Sequence, residues 1–139
     1  MVDRDVLARR LLVLSECLTE LARPEARDPA RLAADTVLRA AVERWLQVAI
    51  EACVDLASHV IADEGWTPPG TGREAFLVLA GHGRLPLDLA ERLGSAVGLR
   101  NVLVHDYVAV DLARLAHVVA EDLGDLREFA RCAAGWMGQ

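Results

Sequence analysis

Apolar residues recur in this chain with the period of an α-helix. Near the N-terminus the spacings alternate between four and three residues, at Leu7, Leu11, Leu14, Leu18 and Leu21. This spacing places the leucines on one face of a helix. A similar stripe near the C-terminus comprises Leu112, Leu115, Val119, Leu123, Leu126 and Ala130. Because a one-sided helix must bury its apolar face, the pattern predicts helices that pack against one another.

The composition favours the same fold class. Hydrophobic residues make up 53% of the 139 residues but aromatic residues only 4%, so the core must be built mainly from Leu, Val and Ala. These residues favour helix packing over a sheet rich in Tyr, Phe and Thr. A chain of this length can bury one continuous core, and we therefore predict a single all-α domain over residues 1–139.

Start and stop signals divide the chain into five predicted helices. Asp28 and Pro29 form an N-cap and a first helical residue, Gly65 is suited to a left-handed C-cap, and Thr71 with Glu74 resembles a capping box. The predicted helices cover about residues 3–22, 29–64, 72–80, 86–103 and 111–131, and residues 135–139 are expected to fray. Four long helices and one short helix, joined by short connections, predict an up-and-down bundle.

The charge balance limits the kinds of ligand. All 15 basic residues are arginine and 21 residues are acidic, which gives a net charge of −6. A general binder of nucleic acids should show a basic stripe, and this chain has none. Any activity on RNA would therefore need a local cluster of arginines, for example one assembled from two chains.

The cysteines and the N-terminus indicate the cellular compartment. Cys17, Cys53 and Cys132 are far apart and form neither a CxxC pair nor a cluster with histidine, so we interpret them as reduced core residues. The first ten residues are charged where a signal peptide would be apolar, and we expect no apolar run of membrane-spanning length. The chain is therefore predicted to be cytoplasmic, with no membrane partner, no metal and no cofactor.

Two further patterns have a structural and a functional interpretation. Polar residues at successive spacings of four form a ribbon along the second predicted helix, at Glu43, Gln47, Glu51, Asp55 and His59. Such a ribbon is either a solvated face or the lining of a cleft. Gly94 and Gly98 weaken the fourth predicted helix by about 1 kcal/mol each relative to alanine, which indicates close approach of another part of the chain.

One stretch carries residues suited to catalysis. Arg100 continues an apolar stripe of the fourth helix, and His105 follows five residues later, about 140° around an unbroken helix. The two could converge only if the helix ends near Val104 or if two protomers contribute. An arginine can bind phosphate oxygens and a histidine can transfer protons, which suffices to cleave an RNA phosphodiester, with Asn101 orienting either group. Alternatively, Arg100 makes a structural ion pair and His105 caps a helix C-terminus.

The run Arg100–Tyr107, RNVLVHDY, resembles the Arg-polar-x3-His-x-Tyr signature of HepT-like HEPN proteins. The likeness extends upstream through Glu43–Gly65, Pro68–Phe76 and Leu85–Leu93, and downstream through Glu121–Ala130. It covers about residues 35–131 and is weak in residues 1–27 and 132–139.

The resemblance implies a dimeric helical ribonuclease toxin that cuts RNA without metal. It implies that Arg100 and His105 are catalytic and that Asn101 supports them. It also implies that Tyr107 receives AMP from a partner nucleotidyltransferase, which acts as the antitoxin. Two other functions remain compatible with the sequence: a catalytically inactive helical dimer that scaffolds or regulates a nucleotidyltransferase, and a nucleotide-binding module in which Arg100 holds phosphates without cleavage.

Overall fold

The computed structural model describes the backbone of residues 3–105 and 112–137, and the side chains of these residues other than 99–105. Every regular element in these ranges is helical, which confirms the predicted all-α class. The elements are α1 (Arg4–Leu21), a 3₁₀ turn (Pro24–Arg27), α2 (Pro29–Ala34), α3 (Thr36–Glu64), α4 (Gly72–Gly81), α5 (Leu87–His105) and α6 (Leu112–Met137).

The 29-residue helix α3 lies at the centre of the packing. It contacts α1, α2, α4, α5 and α6, so apolar residues on several of its sides are covered. Its buried residues are Val42, Leu46, Ala49, Ile50, Ala52, Cys53, Leu56, Ala57, Val60 and Ile61. No polar or charged residue among those described is buried as a whole, so the core around α3 is apolar.

By length and composition alone, α3 could cross a membrane. An 18-residue window within Thr36–Glu64 has a mean hydropathy of 1.3, so the expectation that no apolar run reaches this length is wrong for α3. Half of that window is buried inside the protein, as in a core helix that packs on several sides. The neighbouring helices therefore account for the apolar character of α3.

Contacts between side chains show how α5 runs relative to its neighbours. Arg92 on α5 pairs with Asp125 on α6 at 3.0 Å. Trp136, near the end of α6, donates its indole N–H to the carbonyl oxygen of Arg84, just before α5, at 3.3 Å. The Arg84 guanidinium pairs with Glu64 at the end of α3 at 3.1 Å. Helix α5 therefore runs antiparallel to both α3 and α6, and its C-terminal half lies at the end of the molecule where they begin.

Three predicted helix ends are confirmed. Asp28 accepts hydrogen bonds from N–H groups in the first turn of α2, and Gly65 closes α3 with a left-handed φ of 71°. Thr71 Oγ1 accepts a hydrogen bond from the N–H of Glu74 at 3.1 Å. The Glu74 carboxylate reaches back one residue further than in a standard capping box, to the N–H of Gly70 at 2.8 Å.

The predicted unbroken helix over residues 29–64 is wrong, because Asp35 interrupts it with φ −125° and ψ 99°. Its carboxylate accepts a hydrogen bond from the N–H of Leu38 at 3.0 Å and caps α3. An Asp side chain offers backbone N–H groups a partner outside the helix, which an apolar pattern does not reveal. The break allows the short helix α2 to contact α6 as well as α3.

The C-terminal helix is longer than predicted, since α6 continues to Met137. Trp136 is only 7% exposed, and its ring packs edge-on against Phe129 with centroids 5.6 Å apart. Together with the hydrogen bond to Arg84, this packing anchors the last described turn. The prediction that residues 135–137 fray is therefore wrong.

The three cysteines are free, as predicted. Cys17 and Cys53 are buried and Cys132 is half-buried. Burial raises the pKa of the Cys17 and Cys53 thiols, so both stay protonated and behave as small apolar core residues.

One carboxylate interrupts the buried stripe of α6. Asp122 stands three residues after Val119 and four before Leu126, both of which are buried, so it lies on the face that packs into the molecule. Its Oδ2 atom is buried without a hydrogen-bond partner among the described residues. Burial raises the pKa of the Asp122 carboxyl to about 6, and the charges of Asp125 and Glu121 contribute to the rise.

We expect Trp136→Ala to lower the free energy of unfolding by about 3 kcal/mol, because it removes a buried aromatic side chain and its hydrogen bond. Urea unfolding followed by circular dichroism measures the change. Arg127→Ala, at an exposed position of the same helix, is the matched control and should have an effect below about 0.5 kcal/mol. Equal stabilities of the two variants would mean that the C-terminal turn does not contribute to the core.

We expect Asp122→Asn to stabilise the fold at neutral pH but not in acid. The unfolded carboxyl titrates near 3.8, whereas the folded one keeps its proton until about pH 6. Stability from this group is therefore fully present below pH 3.8 and is lost as the pH rises through about 6. Because solvent screens a partly exposed group, the gain from asparagine at neutral pH should be about 1 kcal/mol.

Urea unfolding at acid and neutral pH tests this dependence. Glu91→Gln, which removes an exposed carboxyl of α5, controls for the loss of one negative charge and should show no comparable gain. A benefit of Asp122→Asn that is the same at both pH values would contradict the assignment of the raised pKa.

Candidate functional site

A groove of about 480 Å³ lies between α3, the start of α4 and the middle of α5. Gly72 allows α4 to begin directly against α3, because a Cβ there would lie 3.1 Å from Cγ2 of Val54. The residues that line the groove are Glu51, Val54, Asp55, Thr71, Gly72, Arg73, Gly94, Val97 and Gly98. Its walls therefore combine small and apolar residues with three charged side chains.

The α5 wall of the groove leads towards the predicted catalytic segment. The backbone of α5 is helical through His105, so positions 94, 98, 101 and 105 fall within about 60° of one another around its axis. Asn101 and His105 thus continue the row that begins with Gly94 and Gly98. The side chains of Asn101 and His105 lie outside the described residues.

Arg100 occupies a different row of the same helix. It follows Leu89, Leu93 and Ala96 at helical spacing, and all three are buried. Because α5 includes His105, positions 100 and 105 lie about 140° apart around the axis. The helix therefore brings the two residues into one segment but onto different faces. The Arg100 side chain also lies outside the described residues.

Only part of the polar ribbon of α3 lines the groove. Glu51 and Asp55 line the groove, whereas Glu43 and Gln47 are not among its lining residues. All four are half-buried, and His59 at the end of the ribbon is exposed. Asp55 also pairs with Arg10 of α1 at 3.3 Å, so part of the negative charge on this wall is neutralised. A role for these side chains in substrate binding stays a prediction.

Tyr107 and Asp111, the first residue of the last predicted helix, lie outside the described residues. The placement of the tyrosine beside the Arg100–His105 segment stays a prediction. Within the described part of the chain, no three His, Cys, Asp or Glu side chains are grouped so that they could hold a metal ion.

The amino-acid sequence alone does not indicate a role for Arg73. The close approach predicted at Gly94 is confirmed, but the part of the chain that approaches is the Arg73 side chain: a Cβ at Gly94 would lie 2.8 Å from Arg73 Cγ. At Gly98 no described atom outside its own helix backbone lies within 4 Å of such a Cβ. In the sequence, the glycine at position 94 indicates that something approaches α5 closely. It does not indicate that Arg73 is the residue that does so.

The chain matches the model of a known protein family. A family model described as Ribonuclease HepT-like matches residues 14–133. The chain belongs to the HepT-like family. The match includes the last eight residues of α1, so the likeness covers more of the chain than the predicted residues 35–131.

Two relatives of the HepT-like family are nucleases. The mRNA nuclease HepT of Shewanella oneidensis is 30% identical over 125 residues, which are 90% of this chain and 93% of the relative. The tRNA nuclease HepT of Aphanizomenon flos-aquae is 35% identical over 69 residues, which are 50% of this chain and 47% of the relative.

A solved structure resembles this HepT-like chain over nearly its whole length. It is a tri-AMPylated HEPN toxin of Shewanella oneidensis in complex with an MNT antitoxin. The TM-score is 0.85 at 28% sequence identity, and the match covers 97% of this chain and 99% of the toxin. The expected helical fold of the family is therefore present here.

Proposed function

We propose that this chain is the ribonuclease toxin of a toxin–antitoxin pair and that it cleaves RNA without metal through Arg100 and His105. The observation that supports this most is the register of α5, in which the groove row of Gly94 and Gly98 continues to His105. Similarity to an mRNA nuclease over 90% of the chain supports the same activity. The cytoplasmic location of the protein stays a prediction.

The proposed reaction is an attack of the ribose 2′-oxygen on the adjacent phosphorus. The bond to the 5′-oxygen breaks, and the products are a 2′,3′-cyclic phosphate and a free 5′-hydroxyl. His105 can accept the proton of the 2′-hydroxyl or donate one to the leaving 5′-oxygen, because imidazole titrates near neutral pH. Arg100 can bind two phosphate oxygens as negative charge develops on them, and Asn101 can orient either group.

We propose that two copies of the chain form each cleft. Positions 100 and 105 lie about 140° apart on one helix, so an arginine of one copy and a histidine of the other meet more readily than a pair from the same copy. A chain with a net charge of −6 also gains local positive charge when two Arg100 side chains share a cleft. A homodimer would thus bring Arg100 and His105 together despite their positions on different faces of α5. It would also supply positive charge to the cleft of a net-acidic chain.

We propose that a cognate nucleotidyltransferase silences the toxin by AMPylation of Tyr107. The Tyr107 hydroxyl oxygen would attack the α-phosphorus of ATP, and pyrophosphate would leave. The phosphate attached to Tyr107 would then compete with RNA for Arg100 and obstruct the cleft by charge and bulk. The similar toxin that is tri-AMPylated and bound to an MNT antitoxin supports this mode of control.

Arg100→Ala and His105→Ala should each lower RNA cleavage by at least about a hundredfold, since each removes a group that acts in the transition state. Cleavage by the wild type should persist in EDTA and leave 2′,3′-cyclic phosphate ends. Gel analysis of a labelled RNA measures the rates and the end groups, and circular dichroism confirms that the variants remain helical. Full activity of His105→Ala would show that the catalytic assignment is wrong.

Mixing the two inactive variants tests whether the site is shared between copies. In a mixed dimer, the Arg100→Ala chain still supplies His105 and the His105→Ala chain still supplies Arg100. A shared cleft therefore regains one intact site, and random exchange of subunits should restore about one quarter of wild-type activity. If each copy contained a complete site, the mixture would remain inactive.

Co-expression with the cognate nucleotidyltransferase should add one or more AMP masses to a peptide that contains Tyr107. Tyr107→Phe should escape this modification and remain toxic, because the phenyl ring cannot accept the nucleotide. Intact mass spectrometry and growth after induction measure the two effects. An unmodified wild type, together with a phenylalanine variant that the partner still silences, would favour simple steric binding by the antitoxin.

A further inference from the structure

The Arg73 side chain lies across α5 at Gly94. A Cβ added at Gly94 would lie 2.8 Å from Cγ of Arg73, 3.3 Å from its Nε and 3.5 Å from its Cδ. The long stem of this arginine therefore lies against the backbone of α5, in a position that any larger residue at 94 would disturb. Holding a flexible arginine in this way reduces its conformational entropy.

Arg73 lies between two grooves. On one side is the groove that leads along α5 to Asn101 and His105, and Arg73 is one of its lining residues. On the other side is a larger groove of about 630 Å³ between α4 and α5, which Arg73 also lines, together with the charged residues Asp88, Glu91 and Arg92. A strand that follows the surface of α4 and α5 would pass over this side chain.

The charges around Arg73 leave its guanidinium available for a ligand. Arg73 makes no ion pair or hydrogen bond with any described residue, and its side chain is exposed. In the first groove, Asp55 already pairs with Arg10, and the other carboxylate of that wall belongs to Glu51. Among the described residues that line this groove, Arg73 is the single cation.

We propose that Arg73 binds a phosphate of the RNA strand and guides that strand along α5 into the catalytic cleft; this inference rests on the proposed ribonuclease function. A guanidinium presents a planar fork that matches two phosphate oxygens. The two carboxylates of the α3 wall outnumber Arg73 in the first groove, whereas Arg73 and Arg92 balance Asp88 and Glu91 in the groove between α4 and α5. Phosphates are therefore repelled less on the α4 and α5 side, and the strand runs there. The N–H groups at the start of α4, at Gly72 and Arg73, contribute further positive potential there.

The proposed contact lies away from the scissile bond. His105 lies eleven positions after Gly94, which corresponds to about 16 Å along the helix axis. Arg73 therefore holds a phosphate a few nucleotides from the cleavage point and acts in substrate binding. Its loss should weaken binding of the RNA and leave the chemical step of bound RNA intact.

Steady-state cleavage of a short labelled single-stranded RNA of mixed sequence tests the assignment. Arg73→Ala should raise KM about tenfold and leave kcat within about twofold of wild type. Gly94→Ala keeps the charge but displaces the arginine, so it should also raise KM. Arg127→Ala and Gly124→Ala, at exposed positions of α6, are the matched controls and should leave both constants unchanged.

Binding measured without cleavage distinguishes this inference from the proposed function. In the His105→Ala background, the logarithm of the RNA affinity should fall with the logarithm of salt concentration, and Arg73→Ala should reduce that slope by about 0.7, as expected for one lost phosphate contact on a single strand. A purely structural role of Arg73 would leave the slope unchanged.

Two failures have different meanings. If the wild type does not cleave RNA but binds it with an Arg73-dependent slope, the proposed catalytic function is wrong and the binding assignment stands. If the wild type cleaves RNA and Arg73→Ala matches it in KM and in salt slope, the assignment of Arg73 is wrong.

Discussion

Helix α3 loses contact with water on several of its sides, because α1 packs on it along with α2, α4, α5 and α6. The small and branched residues of α3 let these helices approach closely, and burial of apolar area drives the packing. The remaining polar ribbon of α3 cannot enter that core without a large desolvation cost. Part of it, at Glu51 and Asp55, therefore becomes a wall of the groove. The packing that stabilises the fold thus also shapes the candidate site.

Ion pairs determine which arginines remain available to an anionic ligand. Arg10, Arg84 and Arg92 each pair with carboxylates of neighbouring helices, and Arg92 also pairs with Asp88 on its own helix. These contacts are solvent-exposed or partly so, and each adds little to stability. Their larger effect is to neutralise the positive charge of these three arginines. Among the described residues that line the groove, Arg73 alone offers a cation to an anionic ligand.

The fold was largely predictable because its helices are amphipathic and their ends carry capping residues. The Asp28 and Thr71 caps and the left-handed Gly65 are local features, and local interactions form them. The two errors in helix boundaries have tertiary or competing causes. Asp35 caps a new helix where the apolar pattern continues, and Trp136 extends α6 because Phe129 and the carbonyl of Arg84 are beside it. Phe129 lies two turns earlier on the same helix, but Arg84 is 52 residues away in sequence, so the anchoring of Trp136 at Arg84 could not be read from the pattern.

The sequence by itself determined the helical class and the family signature at Arg100–Tyr107. It also determined the spacing that places Gly94, Gly98 and His105 in one row along α5. Side-chain chemistry and helical period suffice for these, since both are local. Only the tertiary structure decided that Glu51, Arg73 and Gly94 border one groove, and that Arg73 lies on the α5 backbone at Gly94. These residues come from three helices, and their meeting depends on how those helices pack around α3. No periodicity within one helix contains that information, because the distances between helices are set by the side chains of both partners.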